Sequence, residues 1–273
     1  MTEELSGLQP TQGWAVVHVF YRIDRARWRA LGADARAAAV AEFRDLLASW
    51  EAEPDLQLVP MAGVTKFDFG VMVVHPDVWR VQQVTQEIVA GALGACLEPT
   101  YSFLSLTEAS EYITNEIDWT KMLVEQENLD PATPEFGQRI EAMRKRTQKY
   151  SEARIHPQIP EDYPLVCFYP MAKSRGETNN WYTLPFDERK KLMIAHGNAG
   201  RRFASRITQL ITTSTGLDDW EWGVTLFSKD MRAFRDIVYE LRYDPASALY
   251  GMFGPFLIGA RFDSARLASV LRL

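Results

Sequence analysis

The chain has 273 residues and a formal net charge of −6 at pH 7, enough length for one large domain or two of ordinary size. The acidic balance argues against general nucleic-acid binding, which calls for a basic surface. Hydrophobic residues make up 47% of the chain, which supplies a substantial core, yet no run of about 18 apolar residues occurs, which argues against a membrane span.

The start, Met1 to Gly13, is polar and acidic and lacks the basic opening and apolar stretch of a signal peptide. Cys96 and Cys167 show no metal-ligand spacing and sit in apolar contexts, so they read as buried thiols rather than a disulfide. Together these features predict a cytoplasmic protein.

In chain order, Trp14 to Tyr21 reads as a strand. A helical region follows from about Asp24 to Trp50, where Phe43, Leu46, Leu47 and Trp50 give an i, i+3, i+4, i+7 stripe. Leu56 to Ala62 and Lys66 to His75 read as a hairpin turning near Gly63. Asp77 to Leu93 is helical, and Thr100 to Thr107 is a strand. The order is β-α-β-β-α-β, a ferredoxin-like unit. A polar stretch from about Thr114 to Asp162 comes next, read as a tether or linker with a charged helix near Glu135 to Tyr150.

The second half repeats the first. Leu165 to Tyr169 is a strand, Phe186 to about Arg202 a helix, and Arg206 to Thr213 and Trp220 to Phe227 a hairpin. Asp230 to Arg242 is a helix and Phe256 to Phe262 a closing strand. Phe67-Asp68-Phe69-Gly70-Val71 parallels Trp220-Glu221-Trp222-Gly223-Val224, and Asp77 parallels Asp230 at the same offset. The expected architecture is therefore α+β, with an N-terminal unit over 1–113, a linker over 114–162 and a C-terminal unit over 163–273. The sheets of the two units would pair edge to edge or around a barrel and so cover exposed strand edges.

The second half carries the chemistry. Tyr169, Lys173, His196 and Gln209 sit on otherwise apolar elements, and apolar cores rarely hold so many polar groups without partners. At the repeat offset His196 replaces Phe43. His196 reads either as a satisfied core histidine or as a haem ligand. Gly197 and Gly200 follow it, and glycines there cost helix stability but admit a flat macrocycle to the backbone. Gln209 shares strand parity with Ile207 and Ile211 and faces their apolar side, as a pocket amide or as the cap of a core edge. Tyr169 and Met171 share parity on one strand, with Lys173 beyond them at the rim. Lys173 there would suit a carboxylate or be a solvated loop charge, and Tyr169 would be a redox group or a plain core aromatic. No Gly-x-Ser-x-Gly, phosphate-loop or dinucleotide motif occurs, nor a zinc-type cluster.

The runs Tyr169-Pro170-Met171-Ala172-Lys173, Asn180-Trp181-Tyr182-Thr183-Leu184-Pro185, His196-Gly197 and Asp219-Trp220-Glu221-Trp222-Gly223-Val224-Thr225-Leu226-Phe227 resemble the coproheme decarboxylases of the chlorite dismutase-like superfamily. The resemblance implies a dimeric α+β barrel type of fold, with two ferredoxin-like βαββαβ units per chain and a homopentamer. It implies His196 as the iron ligand, Tyr169 as the radical-forming tyrosine and Gln209 as the distal amide. Arg154, Tyr112, Lys173 and Ser247 match propionate-binding positions, and Met171 a methionine near a reactive propionate. The implied substrate is iron coproporphyrin III (coproheme), converted by hydrogen peroxide to haem b through a three-propionate intermediate, with transient contact to a ferrochelatase. Two other readings stand beside it. A chlorite dismutase would carry a distal arginine where this chain has Gln209, and a haem carrier would return its ligand unchanged.

Overall fold

A computed structural model of the chain describes Pro10 and residues 12–273. Most of the polar start read from Met1 to Gly13 lies outside the described residues. The elements are β1 (Ala15–Ile23), α1 (Arg25–Ala30), α2 (Ala33–Glu51), β2 (Gln57–Gly63), β3 (Phe69–His75), α3 (Val78–Ala90) and β4 (Leu97–Thr107). Then come α4 (Glu116–Glu125), α5 (Pro134–Ile155), β5 (Leu165–Lys173), α6 (Phe186–Arg201), β6 (Ile207–Thr213) and β7 (Trp222–Ser228). The chain ends with α7 (Met231–Leu241), α8 (Pro245–Ala248), β8 (Gly251–Phe253), β9 (Leu257–Arg261) and α9 (Leu267–Leu271).

The strands run in the order β7-β6-β4-β1-β3-β2-β9-β5, and β5 pairs back onto β7, so the sheet closes into an antiparallel barrel. Closure gives each of these strands a neighbour on both sides, although β4 meets β6 only where Leu106 pairs with Thr213 and Thr107 with Thr212, and β2 meets β9 only from Met61 to Gly63. The short β8 adds to the far end of β5. Each unit contributes four strands, and the units meet where β4 joins β6 and β2 joins β9. This is the mixed α+β arrangement of two ferredoxin-like units expected from the sequence.

The strand sequences explain the closure. β1 reads AVVHVFYRI, apolar on both faces. Val17, Val19, Tyr21 and Ile23 face outward into a core shared with α2 and α3. Val16 and Phe20 point inward, where Met61, Met72, Phe103, Phe168 and Phe227 fill the barrel, so the interior is packed rather than a channel. His18 shares the inward parity. It is fully buried, its Nε2 lies 2.9 Å from Thr225 Oγ1, and its ring stacks on Phe168 at 4.0 Å. Burial pushes the His18 pKa down to about 3.

The repeat extends to the helix caps. Asp77 accepts a hydrogen bond from Trp79 N at the start of α3, and Asp230 accepts one from Arg232 N at the start of α7. Both cysteines are free and buried. Among the described residues no helix is long and apolar enough to cross a membrane.

The segment between β4 and β5 differs from the solvated tether expected. It folds as the pair α4 and α5 with a small core of its own, Trp119, Leu123 and Ile140, flanked by Phe136 and Met143. Asn115 caps α4 in a reciprocal capping box with Asp118, and Thr133-Pro134 starts α5. α5 covers the charged helix expected near Glu135 to Tyr150, while α4 and the small shared core were masked because the apolar positions are few and widely spaced among charges.

Candidate functional site

The two units use their first long helix differently. In the first unit α2 buries Ala39, Phe43, Leu47 and Trp50. In the second, α6 buries only Gly200 and packs mainly on α7 and α8 rather than on the strands. The outer face of β5, β7 and β6 is covered by Ala233, Phe234 and Ile237 of α7, while Gln209 on β6 stays exposed and Met171 on β5 half-buried.

Strand register shows what lines that face. Tyr169 stands opposite Val224 as Val19 stands opposite Val71. Met171 stands opposite Trp222 as Tyr21 stands opposite Phe69. Gln209 stands opposite Leu226 as Leu58 stands opposite Val73. Two residues further along, Lys173 corresponds to Ile23. Val19, Tyr21, Ile23, Leu58 and Phe43 all belong to the first unit's core. The second unit thus sets a tyrosine, a methionine, a lysine and a glutamine where the first has core residues; Tyr169 and Lys173 are buried there, and Gln209 is exposed.

His196 lies on α6, half-buried, with Nδ1 2.8 Å from Asp244 Oδ2. The Asp244 side chain is 7% exposed. A carboxylate accepts, so Nδ1 is the donor in this pair, and Nε2 is the ring nitrogen left to bind a metal. Ser247 Oγ lies 3.5 Å from the same Nδ1, and Ser247 is buried. A side chain added at Gly197 would meet nothing within 4 Å, and at Gly200 only Gln209 Nε2 at 3.8 Å. The donor set and the open glycine face suit a flat ligand carrying a metal at His196.

Tyr169 is 7% exposed, its ring stacked on Phe256 at 4.6 Å and flanked by Phe253 at 5.9 Å. Its hydroxyl makes no hydrogen bond among the described residues, and burial raises its pKa. Gln209 is exposed beside a cavity of about 310 Å³ lined by Arg154, Ile211 and Phe227 among others. Arg154, at the end of α5, donates from Nε to Glu108 O (3.2 Å) and from Nη2 to Ile211 O (3.5 Å). Met171 is half-buried on β5.

Lys173 differs from the rim position expected. It is 6% exposed, because β5 continues past Pro170 as far as Lys173. Its Nζ donates to Ala246 O at 2.7 Å and lies 4.4 Å from the centroid of the Trp181 ring. Burial pulls its pKa down to about 8, against the opposing charges of Asp244 and Glu221. Tyr112 packs edge-on to Trp181 and stacks on Phe186. Its hydroxyl is buried without a hydrogen bond among the described residues, and burial raises its pKa.

The structure brings His196, Ser247 and Lys173 together around α8, Tyr169 and Met171 on β5, and Arg154 with Gln209 along β6. Tyr112 stands beyond Trp181. Sequence reading missed two carboxylates. Asp244 precedes Pro245, a pattern that signals a helix start but does not reveal a buried partner for His196. Glu221 is buried, accepts from Lys173 N at 2.8 Å and pairs with Arg175 Nη2 at 2.6 Å.

A protein of Natronomonas pharaonis named as a candidate haem-binding protein is 36% identical over 263 residues, 95% of this chain. The chain spans 41% of that relative's length. A haem-binding protein from Thermus thermophilus superposes with a TM-score of 0.79 at 34% identity, with 96% of each chain covered. A mutant chlorite dismutase from Candidatus Nitrospira defluvii has the same fold, with a TM-score of 0.70 at 18% identity over 96% of this chain and 95% of that one. The sequence profile described as chlorite dismutase matches residues 36–262, and the chain belongs to the chlorite dismutase-like family.

Proposed function

We propose that the chain binds coproheme between α6 and the outer face of β5 and β6 and oxidatively decarboxylates two of its propionates to vinyl groups, giving haem b. The observation that carries this reading is His196, held by Asp244 on a helix that buries only Gly200, in the unit where Tyr169, Met171 and Gln209 stand at the register positions of the first unit's Val19, Tyr21 and Leu58. The haem-binding relatives from Thermus and Natronomonas support the ligand class.

Bound porphyrin iron supplies the two-electron reduction of hydrogen peroxide. The protein's part is position and charge. For each propionate the balance is one propionate, one peroxide and one proton in, and one vinyl group, one carbon dioxide and two waters out. The free Tyr169 hydroxyl is the group suited to relay a hydrogen atom from the propionate β-carbon, and small displacements there cost rate steeply. Arg154, Tyr112 and Ser247 offer donors to the carboxylates. Lys173 contributes positive charge from within the wall. Gln209 offers a neutral amide to the oxidant, which favours this chemistry over chlorite cleavage with its anionic intermediates. A homopentamer, a cytoplasmic setting and coproheme supply by a ferrochelatase belong to the same proposal.

The test is incubation of the purified chain with iron coproporphyrin III and peroxide, followed by mass spectrometry. Two successive losses of a carboxyl group are expected, and Tyr169→Phe should stop them. Full conversion by Tyr169→Phe at the native rate removes the tyrosine assignment. The names of the two relatives favour haem carriage as the second reading, and recovery of coproheme unchanged after peroxide would establish it in place of decarboxylation.

A further inference from the structure

The chain is acidic overall, yet α5 carries a solvent-facing basic stripe. At 100° per residue, Arg139, Ala142, Lys145, Arg146, Lys149 and Ala153 fall on one side of the helix, away from the face that holds Phe136, Ile140 and Met143. Arg139 is engaged by Glu127 and Lys145 by Glu141. Arg146 and Lys149 are exposed and make no ion pair among the described residues. The stripe ends at Ala153, which with Arg154 lines the cavity beside Gln209. Lys149 lies one turn, about 6 Å, before Ala153 and Arg146 about 10 Å before it.

We infer that Arg146 and Lys149 form an electrostatic guide that draws a polycarboxylate porphyrin onto α5 and toward the cavity at Arg154 and Gln209. This rests on the porphyrin reading of the site and deepens it by assigning the approach route. Charges of one sign leading to a cleft raise the association rate of an oppositely charged ligand, and the gain fades with ionic strength. Coproheme, with four carboxylates, would feel the stripe more than haem b, with two. Neither side chain touches the groups assigned to chemistry, so the guide acts on arrival and not on turnover.

The experiment measures association and dissociation rates of iron coproporphyrin III and of haem b by stopped-flow absorbance across ionic strength. It compares the native chain with the double variants Arg146→Glu/Lys149→Glu and Arg146→Lys/Lys149→Arg. The charge reversal should slow coproheme association about tenfold at low salt, slow haem b less, and leave both dissociation rates unchanged. The gap should close at high salt, and the charge-conserving variant should match the native chain. Equal association rates at low salt, or a deficit that persists at high salt, overturn the guide while leaving the porphyrin site standing. A native chain that binds neither porphyrin overturns both.

Discussion

Gln209 and Leu58 occupy equivalent places in the two units, each facing the outer side of its sheet opposite a core residue of the next strand, Leu226 and Val73. Leu58 is 8% exposed and belongs to the core beside α2. Gln209 is exposed, although a side chain at Gly200 of α6 would meet its Nε2 at 3.8 Å. The difference lies in the helix as much as in the strand. Where α2 sets Phe43 and Leu47 into the sheet, α6 carries His196 and Gly200, and only the glycine is buried.

Restoring the first unit's residue therefore separates folding from chemistry. Gln209→Leu removes no hydrogen bond among the described residues, so unfolding free energy should stay within about 0.5 kcal/mol of native, as for most exposed positions. Coproheme affinity should also hold, while peroxide-driven decarboxylation slows by about tenfold or more. Denaturant titration and single-turnover kinetics read the two effects. An unchanged rate would show that the amide takes no part.

Asp244 holds His196 by its Nδ1 and should tune it as a ligand. Partners of this kind typically alter metal affinity 10–100-fold when replaced. Asp244→Asn keeps the shape but removes the charge, so iron coproporphyrin III should bind about 10–100-fold more weakly and show a lower iron–histidine stretching frequency. His196→Ala should abolish that vibration. An Asp244→Asn variant with native affinity and frequency would leave the carboxylate a purely local role.

The fold was legible from periodicity because each strand is apolar on the side it buries. Asp77 and Asp230 marked the starts of α3 and α7 by chemistry that depends only on local backbone. The polar residues of the site were legible as exceptions on apolar elements, and parity put Tyr169 with Met171 on one strand and Gln209 with Ile207 and Ile211 on another; only the register joins them on one face. Three-dimensional partners were not. Whether Lys173 sits at a rim or in a wall depends on how far β5 runs after Pro170, whose missing N–H suggests an earlier end. Pro170 instead stands opposite Gly223, and its carbonyl accepts from Gly254 N at 2.9 Å. Asp244 and Glu221 gain their roles only through contacts 48 residues distant in sequence.

Lys173 gives a pH signature. Its folded pKa, about 8 against an ordinary value of 10.5, is lowered by burial. Between those values the unfolded chain holds more protons at this residue than the folded chain. The Lys173 contribution to stability therefore rises as pH climbs from about 8 to 10.5, by up to about 1.4 kcal/mol per pH unit. Below about 8 it is flat. Urea unfolding of native and Lys173→Met chains over pH 7 to 10.5 isolates this contribution as a widening difference between the two curves. A constant difference would mean that Lys173 keeps its charge across the whole range.

His18 sets an acid limit of the opposite kind. Its pKa of about 3 lies below the ordinary 6.5, and burial is the cause. From pH 6.5 down to about 3 the unfolded chain takes up a proton at His18 that the folded chain refuses. Stability is then lost on acidification by up to about 1.4 kcal/mol per pH unit. The cost falls on the barrel interior, where the ring is held between Phe168 and Thr225 and Nδ1 has no hydrogen-bond partner among the described residues. His18→Phe keeps an aromatic ring against Phe168 and removes the titrating group, though it leaves the Thr225 hydroxyl without this contact. The variant should be somewhat less stable at pH 7, by about 1 kcal/mol for the lost hydrogen bond, and should lose less stability on acidification than the native chain. Thermal unfolding of both from pH 7 to 4 reads the comparison, and parallel declines would assign the acid sensitivity to other groups.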